Sequence, residues 1–186
     1  MAQQKGILPV KGTIGNLTFY KSKDGYLLRG KGGVDAKRIA SDPAFQRTRE
    51  NGVEFGKAGK AGKLLRNALR SLSQNASDSK MVSRLTKEMT QVIKADTINP
   101  RGLRNVIDGE SELLQGFEFN IDGKLSTTLY APYTDVIDRV TGVLSVEIPA
   151  FIPANMVAAP GGATHFKINS AGVEIDFEGN RYLRSQ

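Results

Sequence analysis

Charge divides this chain into two halves of opposite sign. Residues 1–104 hold 21 Lys/Arg against 8 Asp/Glu, a net of +13. Residues 105–186 hold 5 against 11, a net of −6, which leaves the whole chain at +7. A basic front and an acidic back can bind a polyanion at one end, or the back of another copy. Both readings concern binding. No residue set points to chemistry, so the chain is expected to be non-enzymatic, with no cofactor, no metal and no identified small-molecule substrate.

The 186 residues suffice for one ordinary core or for two small units sharing an interface. Only 39% are hydrophobic, 20 are Gly and none is Trp, which fits a modest core with many turns or a chain completed by neighbours. With no Cys, disulfides, thiolate catalysis and Cys-based metal sites are excluded. The start lacks the apolar run of a signal peptide, and no stretch approaches the ~20 apolar residues of a membrane span. Cytoplasmic synthesis without membrane contact is expected, and it is compatible with incorporation in a virion or release by lysis.

Periodicity predicts an α+β fold in two regions: a basic β-hairpin and helical-hairpin region over 1–104, and an acidic β-sandwich over 105–186. Near the start, Gly15-Asn16 and Asp24-Gly25 are turn signals between short alternating runs, with Tyr26-Leu27-Leu28-Arg29 as a returning strand. Strands this short need cover from another element or another molecule. Over 42–72, Asp42 is a good N-cap and Pro43 suits the first helical position. Phe45, Val53, Phe55, Leu64, Leu65, Leu69 and Leu72 supply apolar contacts. Gly52, Gly56, Gly59 and Gly62 interrupt this run at about 1 kcal/mol each relative to Ala. Gly52, Gly56 and Gly59 stand at i, i+4 and i+7, a stripe that predicts close packing against another backbone. A break near Gly56–Gly62, dividing two shorter helices, is the competing reading.

A second helix is predicted over about 78–95, capped by Ser77 or Asp78, with Val82, Leu85, Met89, Val92 and Ile93 at helical spacing. The short polar link predicts an antiparallel pair. From Phe117 the period changes to two. Strands are expected at Phe117–Ile121, Leu125–Tyr130 and Val143–Ile148, with a last hairpin pairing His165–Ile168 to Val173–Phe177. Five or six short strands predict an antiparallel, immunoglobulin-like sandwich.

Arg47, Arg49, Lys57, Lys60, Lys63, Arg66 and Arg70 are the candidate contacts to a polyanion or protein partner. Phe19, Tyr20 and Tyr26 could stack bases. Glu50 and Glu54 interrupt the basic run, and a charge run is usually a solvated face. Gly56–Leu65 does not match a phosphate loop: the glycine spacing is wrong, and Leu64 stands where Ser or Thr is needed. His165, the single histidine, reads as a structural strand residue, since a lone His without Cys makes no metal cluster. Glu110 with Glu112, and Asp135 with Asp138, read as solvated carboxylates.

Gly12–Tyr20, Lys23-Asp24-Gly25, Lys31-Gly32-Gly33, Asp42–Asn51 and Pro160–Phe166 resemble a set of small basic proteins of unknown function from Bacteroidota bacteria and their phages or prophages. The likeness covers most of the chain. It implies a non-enzymatic protein of mobile-element or virion origin and transfers no catalytic residues. The expectation is a structural protein that self-associates head to tail into a homo-oligomer, basic half to acidic half. The alternative is a nucleic-acid-binding accessory protein using helix 43–72.

Overall fold

Glycine turns do reverse the chain near its start. In the computed structural model, which describes residues 2–3, 10–22, 25–30, 32–74, 76–138 and 140–185, β2 (Gly12–Ile14) folds back on β3 (Leu17–Ser22) across Gly15-Asn16. β3 then pairs antiparallel with β4 (Gly25–Gly30), from Leu17 opposite Gly30 to Ser22 opposite Gly25. Lys23 and Asp24 of that second turn lie outside the described residues. β1 (Ala2–Gln3) pairs with β4, giving the sheet order β1-β4-β3-β2.

A short helix, α1 (Ala36–Ser41), follows. Asp42 then accepts from the Ala44 amide at 2.9 Å and caps the 3-10 turn Pro43–Phe45. That turn runs straight into α2 (Gln46–Ala68). The chain divides into two compact units between Arg49 and Glu50, inside α2 and not near residue 104 as the sequence predicts. No described side chain of 10–49 is buried.

The core lies in the second unit. α2 runs unbroken through its four glycines, so no break occurs at Gly56–Gly62, although the helix spans 46–68 and not the whole predicted 42–72. A brief α3 (Arg70–Ser73) follows Leu69, and α4 covers Met81–Lys94. Ala58 and Ala61 of α2 share a cluster with Met81, Leu85, Met89, Val92 and Ile93 of α4. Small side chains on one helix and large ones on the other are volume-matched packing. Each fully buried Leu, Met, Val or Ile is worth about 1.5–3 kcal/mol. The early part of α2 is tied to residues that follow α4, and Gly62 near its end abuts Leu85 and Met89, so the pair is antiparallel.

The close approach on α2 is made at Gly62, where a Cβ would sit 3.6 Å from Leu85. The expected stripe is displaced: a Cβ at Gly52, Gly56 or Gly59 would meet nothing within 4 Å.

The acidic half departs further from expectation. Its β-structure consists of two separate two-stranded ladders, β5 (Thr134–Asp138) with β6 (Val143–Glu147) and β7 (Gly172–Asp176) with β8 (Arg181–Ser185). Among the described residues these ladders do not build two packed multi-stranded sheets. Phe117–Ile121 alternates but pairs with no strand. Its main chain is held by the start of α4: the Asp78 amide donates to the Phe119 carbonyl at 3.3 Å, and Arg84 Nη1 donates to the Glu118 carbonyl at 2.6 Å. Asp78 also accepts from Arg84 and from the Ile121 amide. Phe117 and Phe119 pack on the core, edge to face with centroids 5.1 Å apart.

Leu125–Thr128 is a helical turn, α5, instead of a strand. The Glu118 carboxylate accepts from the amides of Leu125 and Ser126 and so satisfies its first donors. A further turn, α6, covers Pro153–Met156. His165–Ile168 is irregular and pairs with no strand among the described residues; β7 instead finds β8 across Phe177–Asn180, where Asn180 takes φ 51°. His165 is exposed and contacts Thr164 Oγ1 through Nδ1, so it is not a strand residue.

Candidate interaction groove

A surface groove of about 1090 Å³ runs along α2. One wall carries Lys57, Lys60 and Lys63, with Leu64 buried beneath. The loop after α4 supplies Leu103, Val106, Ile107 and Asp108, the β7–β8 turn supplies Phe177 and Glu178, and β8 supplies Tyr182. Three of the seven predicted basic contacts thus meet in one place, because positions 57, 60 and 63, spaced three apart, fall within about 120° of the helix circumference.

A buried polar network shapes the loop wall. Glu54, 3% exposed, faces a guanidinium across α2: Arg104 Nε donates to Oε1 at 2.8 Å and Nη2 to Oε2 at 2.7 Å. The Gly102 amide donates to Oε1 at 2.7 Å. Hydrogen bonds from Arg104 hold the Glu54 carboxyl below its ordinary range, and Glu54 in turn raises Arg104. Removing one member of a buried pair costs about 3–5 kcal/mol, because the other charge stays buried alone. Lys57 Nζ donates to the carbonyls of Leu103 at 2.7 Å and Arg104 at 2.8 Å, and more distantly to Gly102.

Asp96, 3% exposed, fixes the far side of the loop. It accepts from the amides of Ile98, Asn99 and Asn105 and from Asn99 Nδ2. Burial works to raise its pKa, yet the donors from Asn99, Asn105 and Ile98 outweigh it and bring the group down to about 2. Asp108 accepts from the side-chain amides of Asn99 and Asn105. Gly109 has no room for a side chain: a Cβ there would overlap the Val92 carbonyl oxygen.

The remaining predicted contacts are dispersed. Arg49 Nη1 donates to the carbonyls of Ile39 at 2.6 Å and Asp42 at 2.9 Å, which commits it to joining α1 and α2. Arg66 donates to the Gly62 carbonyl on its own helix. Arg47 and Arg70 are exposed but do not line the groove.

Sequence reasoning missed Glu54 and Arg104 as a pair, since 50 residues separate them. It also missed Glu178 and Tyr182, although Gly179-Asn180 is a legible turn signal. The ion pairs Arg38–Asp42, Arg84–Asp78, Arg104–Glu54 and Arg181–Asp176 each join residues of the same charge half. None of these four crosses between 1–104 and 105–186.

Among the described residues no group of three or more His, Asp or Glu could hold a metal ion, and no helix is long and apolar enough to cross a membrane. The groove offers ammonium groups beside apolar walls, the chemistry of an acidic, partly apolar ligand. No protein-family model, curated protein or solved structure matches this chain.

Proposed function

We propose that the chain is a non-enzymatic structural protein that self-associates head to tail, the basic 1–104 half of one copy meeting the acidic 105–186 half of the next. The observation that carries this reading is the pairing pattern: the four ion pairs above are spent within a half, while Lys60 and Lys63 stand exposed along a groove and Glu110, Glu112, Asp135, Glu147, Glu174 and Glu178 stand exposed in the other half. Opposite poles that remain open favour contact between copies. A heterologous contact of this kind gives rings or open filaments. An immunoglobulin-like layer belongs to the proposal in one form: strands of a neighbour would extend the two-stranded ladders of the acidic half. The resemblance drawn from the sequence would place such an assembly in a virion or a prophage-encoded particle.

The nucleic-acid reading keeps one favourable observation, the exposure of Arg47, Lys60, Lys63 and Arg70. Against it, two of the aromatic faces it needs are occupied: Arg29 lies over the Tyr20 ring at 5.5 Å and Lys21 over Tyr26 at 5.6 Å.

Sedimentation velocity across a salt series tests the proposal. Screening shortens from about 30 Å at 0.01 M to about 3 Å at 1 M, so defined oligomers at low salt should dissociate as salt rises. A monomer at low salt and high concentration overturns it, as does tight, salt-sensitive gel retardation of DNA or RNA without oligomers.

A further inference from the structure

We infer that the β5–β6 hairpin of one copy seats in the α2 groove of the next. This rests on the self-association proposed above and names its two surfaces.

The hairpin is an uncovered finger. Val136, Ile137 and Val143 are each more than half exposed, and Val140 in the turn is 96% exposed. Its base leans on β7, where Leu144 approaches Gly172. Both faces of a two-stranded ladder with this much apolar surface need cover. Hydrogen bonds also brace the described residues on either side of the turn. Asp138 Oδ1 accepts from the Val140 amide at 2.8 Å and Oδ2 from Thr141 Oγ1 at 2.6 Å, while the Gly142 amide donates to the Asp138 carbonyl at 2.9 Å. Side chains already held by local hydrogen bonds have less freedom to lose on docking.

Charge selects the slot. The ladder carries Asp135, Asp138 and Glu147. The groove presents Lys60 and Lys63 beside Lys57, with Leu103 and Ile107 more than half exposed as apolar contacts. Asp108 and Glu178 on the opposite side have the wrong sign for this ligand. Asp108 is already engaged by two asparagines, which leaves Glu178 to repel an inverted finger and so to favour one orientation. The groove, about 1090 Å³ and open along one side, has room for a chain segment.

Charge reversal with rescue tests the assignment in the full-length chain. The substitutions Asp135→Lys with Glu147→Lys leave the Asp138 turn intact, and Lys60→Glu with Lys63→Glu alter only exposed helix positions. Each double variant, checked for a native circular dichroism spectrum and unfolding midpoint, should lower self-association at low salt by about tenfold or more. An equimolar mixture of the two should restore it as a mixed assembly. Val140→Asp should weaken association as well, while Lys87→Glu with Lys94→Glu, an equal charge change elsewhere on the surface, should not. If the native chain assembles but the finger and groove variants assemble equally well, or the control pair weakens it as much, this docking mode is overturned and self-association stands. If the native chain never assembles, both fail together.

Discussion

Leu85, Met89, Val92 and Ile93 on α4 are at most 1% exposed, whereas Val136, Ile137 and Val143 on the β5–β6 ladder are all above 50%. The two regions are built from similar aliphatic side chains. They differ in what lies opposite. α4 faces Ala58, Ala61 and Gly62, small residues that let a second helix close on it. The β5–β6 ladder is only two strands wide, and Leu144 alone among its described side chains is half-buried. Apolar content alone does not make a core; a complementary surface at the right distance does.

That contrast can be broken most severely with acid. Asp96 has its pKa lowered from 3.8 to about 2, and Glu54, Asp78, Glu118 and Asp138 are lowered as well. A folded-state pKa below the unfolded value means that the unfolded chain binds more protons in between. The stability from these groups is therefore full above about pH 4–5 and is lost as pH falls toward 2. Thermal unfolding followed by circular dichroism should show the midpoint dropping across that window. An unchanged midpoint from pH 5 to pH 2 would mean that the loop network does not hold the helical pair.

A matched pair of truncations sharpens the contrast directly. Leu85→Ala should cost about 2–5 kcal/mol in urea unfolding, and Val136→Ala about 0.5 kcal/mol or less. Equal costs would show the ladder to be packed in the lone chain. The smallest effect carries the opposite sign: Gly56→Ala should stabilise by about 1 kcal/mol, since the helical position is open and a methyl group meets nothing. A loss there would reveal a contact on that face.

The helices were legible because their signals are local. Asp42-Pro43 starts the turn that leads into α2, and Val82, Leu85, Met89, Val92 and Ile93 repeat at helical spacing, although Val82 proves exposed. The first hairpins were legible through Gly15-Asn16. Beyond residue 117 alternation located β6 and β7, predicted at Val143–Ile148 and Val173–Phe177, but misled at 117–121 and 125–130, because a period of two reports only which side chains point inward. Phe117 and Phe119 do point inward, but the backbone between and after them finds Asp78 and Arg84 instead of a strand. At 125–128 the Glu118 carboxylate and the hydroxyls of Ser126, Thr127 and Thr128 satisfy a helical turn that strand propensity argues against. Lys57, Lys60 and Lys63 could be nominated from the sequence as basic, but the wall they face comes from residues 103–108 and 177–182, which only the fold brings round.

Apart from the Arg104 guanidinium held by Glu54, the contacts that Lys57 and Glu54 make with residues 102–104 are to main-chain atoms. A segment held in this manner is strict in length, and between the fixed Gly102 and Arg104 it is lenient in content only at the exposed Leu103. Leu103 could change identity with little consequence, whereas inserting or deleting one residue would move every gripped carbonyl and amide out of step. Drift in this loop should therefore proceed by substitution and not by insertion or deletion, so the groove could acquire new lining while keeping its shape.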